Sequence, residues 1–188
     1  MEIFAETERL ILREIVPSDK AGMFELDSDP QVHLYLGNRP VKDMERVEEN
    51  IKYIRQQYVD YGIGRWAVIE KETNNFIGWT GLKFNTELVN NRTNYYDVGY
   101  RLIKSYWGRG FATESASPAL DYGFEKLKLN EIIGIADVRN KASRKVLEKI
   151  GLHYVGEFDL KGDQHHWLQI SRDSWLLSHF DELITNTY

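Results

Sequence analysis

Two glycines one residue apart, Gly108 and Gly110, stand within the run Tyr106-Trp107-Gly108-Arg109-Gly110-Phe111-Ala112-Thr113-Glu114-Ser115. An apolar extended run precedes them and a helical pattern follows. The first backbone N–H groups of a helix have no partner inside it and point outward, and the macrodipole adds a partial positive charge at the same place. Glycine permits the tight turn and lets a bulky ligand close on the main chain. Residues of these types in this order make a pocket for phosphate, so a phosphate-bearing cofactor is the first functional expectation.

The flanking elements suit that chemistry. YYDVGYRLI (95–103) is rich in β-branched and aromatic residues and reads as a strand. Ala112, Ala116, Ala119, Leu120, Phe124 and Leu127 recur at three- and four-residue spacing, one face of a helix over 111–127. Pro118 has no amide hydrogen and crowds the carbonyl of Glu114, so a kink or an early break is expected. A Walker loop needs lysine and then Ser or Thr after its second glycine, and Phe111 and Ala112 stand there instead. The dinucleotide fingerprint is closer, with Thr113 in place of its third glycine and Asp137 able to imitate the ribose-binding acid. A nicotinamide or flavin oxidoreductase is therefore a rival, although no early βαβ unit precedes the motif.

ERLILRE (8–14) reads as the first strand, and Ser18 and Asp19 offer a cap for the helix KAGMFELD. QVHLYLG (31–37) is a short apolar segment of either type. Val47, Ile51, Ile54 and Tyr58 give a helix over 41–61, stopped at Gly62. RWAVIEK (65–71) and NFIGWTGLKF (75–84) form a hairpin, and 85–93 is a loop. EIIGIAD (131–137) is a strand, and Asn140 to Ile150 a helix capped by Gly151. LHYVGEF (152–158) and HHWLQIS (165–171) make a second hairpin, and SWLLSHFDELI a short final helix. The class is α+β, or mixed α/β.

At 188 residues, 42% hydrophobic and 28% charged, the chain suits one domain over 1–188 with a core of about 8–175. It contains no cysteine, which removes disulfides, thiolate zinc sites and cysteine nucleophiles and suits a reducing, cytoplasmic compartment. The charged start MEIFAETERLILRE reads as no signal peptide, and no apolar run approaches a membrane span. A formal net charge of -5 argues against a general nucleic-acid partner and mildly favours a cationic substrate.

From TERLILRE through DVGYRL and YWGRGFATES to NKASRKVLEKIGL at 140–152, the chain resembles the GNAT acetyltransferases, in particular the branch holding the ribosomal-protein N-terminal acetyltransferases. The resemblance covers nearly the whole chain in order. It implies a central, mostly antiparallel sheet, splayed in the middle, with helices on both faces. It also implies acetyl-CoA as co-substrate and acetyl transfer to an amine. The CoA diphosphate then falls to the backbone of Gly108, Arg109, Gly110, Phe111 and Ala112, with the Thr113 hydroxyl. The pantetheine amides fall to the strand at Tyr100, Arg101 and Leu102, and Asn140 and Ser143 match cofactor-facing positions. Two features depart from the pattern: Ser105 stands where Gln or Arg often opens the motif, and Pro118 lies within the helix.

Amine transfer needs a neutral nucleophile, since an alkylamine near the lysine reference pKa of about 10.4 is mostly charged at neutral pH. Asp97, where relatives often place an acid, is the candidate base; alternatively it pairs with a neighbouring strand or with Arg101. Ser143 is the candidate proton donor to the leaving sulfur, or merely a serine at a helix start. Arg109 is placed to reach a CoA phosphate, or is a solvated turn residue. His165 and His166 are strand neighbours facing opposite ways, so no metal site is expected from them, and His33 and His153 read as packing or surface residues. Trp66, Trp79 and Trp167 read as core, with Trp79 and Trp167 able to line an amine pocket by cation–π contact. Asn91-Arg92-Thr93 matches a glycosylation sequon without a secretion signal behind it. The acceptor is a small-molecule or peptide amine, with a protein or peptide N-terminus favoured by the branch. A catalytically silent acyl-CoA-binding or sensing domain is the rival from another class, and monomer and homodimer both stay open.

Overall fold

The computed structural model describes residues 1–185, with side chains through residue 178. An opening hairpin, β1 (Ile3–Glu6) and β2 (Leu10–Glu14), leads to two helices, α1 (Lys20–Ser28) and α2 (Met44–Tyr61). Three strands follow, β3 (Arg65–Glu70), β4 (Phe76–Asn85) and β5 (Tyr95–Leu102). Then come α3 (Phe111–Asp121), β6 (Glu131–Asp137), α4 (Lys141–Lys149), β7 (His153–Leu160), β8 (Asp163–Ser171) and α5 (Arg172–Thr185). They build one eight-stranded sheet in the order β1-β2-β3-β4-β5-β6-β8-β7.

Neighbouring strands are antiparallel except β5 and β6, which α3 connects as a parallel crossover. That parallel pair meets only at Asp97 opposite Ile133. On its other side β5 is held by β4 along its full length, from Asn85 opposite Tyr95 to Gly78 opposite Leu102. The sheet is therefore continuously paired up to β5 and open between Val98–Leu102 and Gly134–Asp137. This is the expected splay.

Both faces of the sheet are covered, which is why every residue of β3 is buried. Alternation sends Trp66 and Val68 into the core beneath α3, with Leu82, Val98, Phe111 and Phe124, while Ala67 and Ile69 join Ile15, Met23, Val47 and Ile51 under α1 and α2. Helix α2 is closed at both ends by local chemistry. The Asp43 carboxylate accepts from the Arg46 N–H at 2.9 Å, and Gly62 takes a left-handed φ of 69° while its N–H donates to the Tyr58 carbonyl.

Three details differ from the sequence reading. IFAE forms an additional strand, β1, paired with β2. QVHLYLG is neither helix nor strand but a succession of turns between α1 and α2. Helix α3 does not break at Pro118; it runs on to Asp121 and relaxes into a π-turn at Tyr122–Lys126. The last three residues of the expected domain lie outside the described residues, and no described helix is long and apolar enough to cross a membrane.

Candidate functional site

The glycine turn joins the open end of β5 to α3. Gly108 and Gly110 have φ of 74° and 84°, the left-handed region that an L side chain enters at a cost of about 1–2 kcal/mol. A Cβ at Gly108 would meet nothing within 4 Å, so conformation rather than crowding asks for glycine there, and the turn presents an open face. Among the described residues, the N–H groups from Gly108 to Thr113 have no acceptor. The first one satisfied is that of Glu114, which donates to the Gly110 carbonyl at 3.1 Å. Six consecutive free amides at the head of an eleven-residue helix form an anion cradle.

Side chains that the sequence did not single out hold the turn in place. The Arg9 guanidinium grips Glu114 (2.7 and 2.5 Å) and donates to the Arg109 carbonyl (3.1 Å), and the Thr7 hydroxyl donates to Glu114 (2.6 Å). Burial pushes the Glu114 carboxyl up, but Thr7 and Arg9 outweigh it and hold it below its ordinary value. An acid in the first turn of a helix was the available signal; its partner, over a hundred residues away in the chain, gave none. The Arg109 side chain lies back over Phe111 and Tyr106 and pairs with buried Glu70 at 2.9 Å. What Arg109 offers the cradle in this arrangement is its N–H.

Beside the splay, Asn140 caps α4: its side-chain oxygen accepts from the Ser143 N–H at 3.0 Å. The Ser143 hydroxyl hydrogen-bonds the Tyr100 phenol, which burial pushes up against that bond. Tyr100 thus brings a phenol to Ser143 as well as a backbone segment to the splay. Leu102 is buried in the core, and Arg101 crosses to the opposite face, where it meets Asp27 at 2.5 Å.

Asp97 lies on that opposite face too, with both oxygens engaged. One accepts from Arg65 (2.8 Å), the other from the Asn85 amide (2.8 Å). Arg65 lies across Gly99, where an added Cβ would come within 2.8 Å of its guanidinium, and it also donates to the Gly81 carbonyl. The pairing alternative for Asp97 is therefore realised, with Arg65 on β3 as partner rather than Arg101. Trp79 already carries two guanidiniums, Arg65 at 5.3 Å and Arg101 at 5.1 Å from its ring, so its cation–π capacity is taken. Trp167 is buried against Tyr95 and Phe158.

Asp137, the residue on which a dinucleotide site would rest, is used locally. It accepts from the Arg139 N–H (2.8 Å) and guanidinium (2.9 and 2.5 Å), closing the turn that leads to α4. His165 faces the Asp163 carbonyl and His166 faces Glu157, and no group of three metal-ligating side chains occurs among the described residues.

Comparison with known proteins agrees with this geometry. Residues 9–153 match the family model described as acetyltransferase (GNAT) domain. The chain is similar to the uncharacterized N-acetyltransferase p20 of Bacillus licheniformis, with 32% identity covering 80% of this chain and 82% of that one. Its fold is shared by two solved structures at 21% identity and TM-score 0.73. One is the spermidine N-acetyltransferase of Vibrio cholerae in complex with CoA and spermine, over 90% of this chain and 99% of that one. The other is the ribosomal-protein-S5-alanine acetyltransferase of Vibrio fischeri, over 91% and 97%. The free amides, the open strand pair and the family match converge: the chain belongs to the GNAT acetyltransferases and is an N-acetyltransferase whose acetyl donor is acetyl-CoA.

Proposed function

We propose that the acceptor is the free α-amine of a protein or peptide, acetylated by a single domain working in the reducing cytoplasm. Two acids flank β5 on the face left to the acceptor, Asp27 and Asp97, and each is already neutralised by an arginine. A polyamine brings further ammonium groups that need unpaired carboxylates once desolvated. A peptide N-terminus brings one amine and a neutral backbone, which suits this face better. The likeness to a ribosomal-protein acetyltransferase points the same way, while the equal likeness to a spermidine acetyltransferase makes polyamines the competitor to test.

Acetyl-CoA supplies the activated thioester; the residues of the chain bind, orient and move protons. The amides of Gly108 to Ala112, that of Arg109 among them, hold the diphosphate, with Thr113. The main chain of Tyr100 to Leu102, left without a β6 partner, pairs with the pantetheine amides as an added strand would. Ser143, backed by Tyr100, donates a hydrogen bond to the departing sulfur; a thiol pKa of about 8.5 means that modest help is enough. The bound carboxylate of Asp97 fixes Arg65 and the strand beneath the acceptor.

The test is thiol release from acetyl-CoA with a panel of short peptides, spermine and amino sugars. Peptides with a free N-terminus are expected to give the highest kcat/KM, and N-terminally blocked peptides none. Faster turnover of spermine than of every peptide contradicts the acceptor assignment. Thermal stabilisation by acetyl-CoA without thiol release from any amine identifies a sensing domain instead.

A further inference from the structure

His33 is buried at 6% exposure, and neither ring nitrogen has a hydrogen-bond partner among the described residues. Unsatisfied buried polar groups are rare in folded proteins because they forfeit the hydrogen bonds that water would give. His33 belongs to the turns between α1 and α2, whose neighbours place them across the splay. Val32 packs with Ile103 just past the end of β5, and Tyr35 stands within electrostatic reach of Arg139 just past the end of β6. The segment is pinned at both ends, by the His33 N–H to the Asp29 carbonyl and the Val41 N–H to the Asp27 carbonyl. An acceptor has to reach the thioester from this face, because the other is filled by the core beneath α3 and by α4.

We infer that His33 is the base that takes the proton from the acceptor amine. Asp27 Oδ1 stands 3.9 Å from its Nε2, close enough to steady the imidazolium once it forms, while Arg101 holds Asp27 in place. The charged groups facing the ring are Asp27 from α1, Asp29 from the turn and Arg101 from β5. Burial first, and then Arg101, lower the affinity of His33 for a proton, against the opposing pull of the Asp27 and Asp29 carboxylates and of the Asp27 backbone. In the step, one N–H bond of the ammonium breaks and its proton passes to the imidazole. The freed lone pair forms the C–N bond with the thioester carbonyl carbon as the C–S bond breaks. The second amine proton reaches the sulfur by way of the Ser143 hydroxyl, and His33 returns its proton to water.

This assignment rests on the acceptor reading for its assay substrate and fails separately from it. The variants are His33→Gln and His33→Ala, assayed with a reactive peptide and with methoxylamine, whose nitrogen is already neutral at the assay pH. His33→Gln is expected to lower peptide kcat about 100-fold, leave the KM for acetyl-CoA unchanged, erase the acid limb of the kcat/KM profile and spare methoxylamine turnover. Free imidazole is expected to restore part of the rate in His33→Ala. Thermal stabilisation by acetyl-CoA establishes that each variant is folded. A folded variant with wild-type peptide kcat, or with the acid limb intact, overturns the assignment and leaves the acceptor reading standing. A wild-type protein that turns over no peptide overturns both.

Discussion

The two sides of the splay are built from different material. On the donor side the working groups are main-chain amides, left free by two glycines at positive φ and held by the Arg9–Glu114 clamp from outside the site. On the side proposed for the acceptor lie side chains, two guanidinium–carboxylate pairs around Trp79 and the His33 imidazole 3.9 Å from Asp27. The donor side binds a ligand common to the family, so its chemistry can be written in backbone. On the proposed reading the acceptor side discriminates among amines with side chains whose charges are already paired.

The contrast breaks most visibly at Asp97. If it is a strut, Asp97→Asn leaves Arg65, only 11% exposed, without its counter-ion, and should destabilise the protein by about 3 kcal/mol while acetyl-CoA affinity persists. Chemical denaturation read alongside turnover separates the roles, since a base would also lose turnover in the protein that remains folded. Next in size is Gly108→Val. An added Cβ meets no protein atom within 4 Å, but valine at a φ of 74° strains the turn whose amides are proposed to hold the diphosphate, so affinity for acetyl-CoA by calorimetry should fall about 100-fold, or roughly 2.7 kcal/mol. Ser143→Ala removes one hydrogen bond to a modest leaving group, so kcat should fall about tenfold, or roughly 1.4 kcal/mol, with binding intact; a full rate removes Ser143 from the proton path.

A smaller effect concerns pH. Hydrogen bonds from Arg139, against the opposing effect of burial, hold the Asp137 carboxyl below its ordinary range. Because the folded value lies below the unfolded one of about 4, the stabilisation is complete above that pH and is lost as pH falls through the folded value. Urea unfolding should show this loss in the wild type and a flatter acid profile in Asp137→Asn.

Much of the donor side was legible in the sequence. Local patterns carry it: strand, glycine turn and helix follow one another between Tyr95 and Asp121, and the Asn140 cap and the Gly151 stop bracket the next helix. Pro118 was read too severely, because packing of Ala116, Ala119 and Leu120 holds the helix past a missing hydrogen bond. The acceptor side was hardly legible. Arg65–Asp97 and Asp27–Arg101 join residues 32 and 74 positions apart, and such pairs leave no periodic trace. His33 looked like packing because burial without a partner is a property of three-dimensional surroundings alone.

The claim underlying the account is that the amides from Gly108 to Thr113 take the CoA diphosphate. The most direct measurement is an amide proton–nitrogen correlation spectrum titrated with acetyl-CoA and, separately, with inorganic pyrophosphate. The account predicts that the signals of Gly108 to Thr113 move furthest with both ligands and saturate together with the loss of free acetyl-CoA. Saturating acetyl-CoA that leaves those signals in place while others move would contradict it.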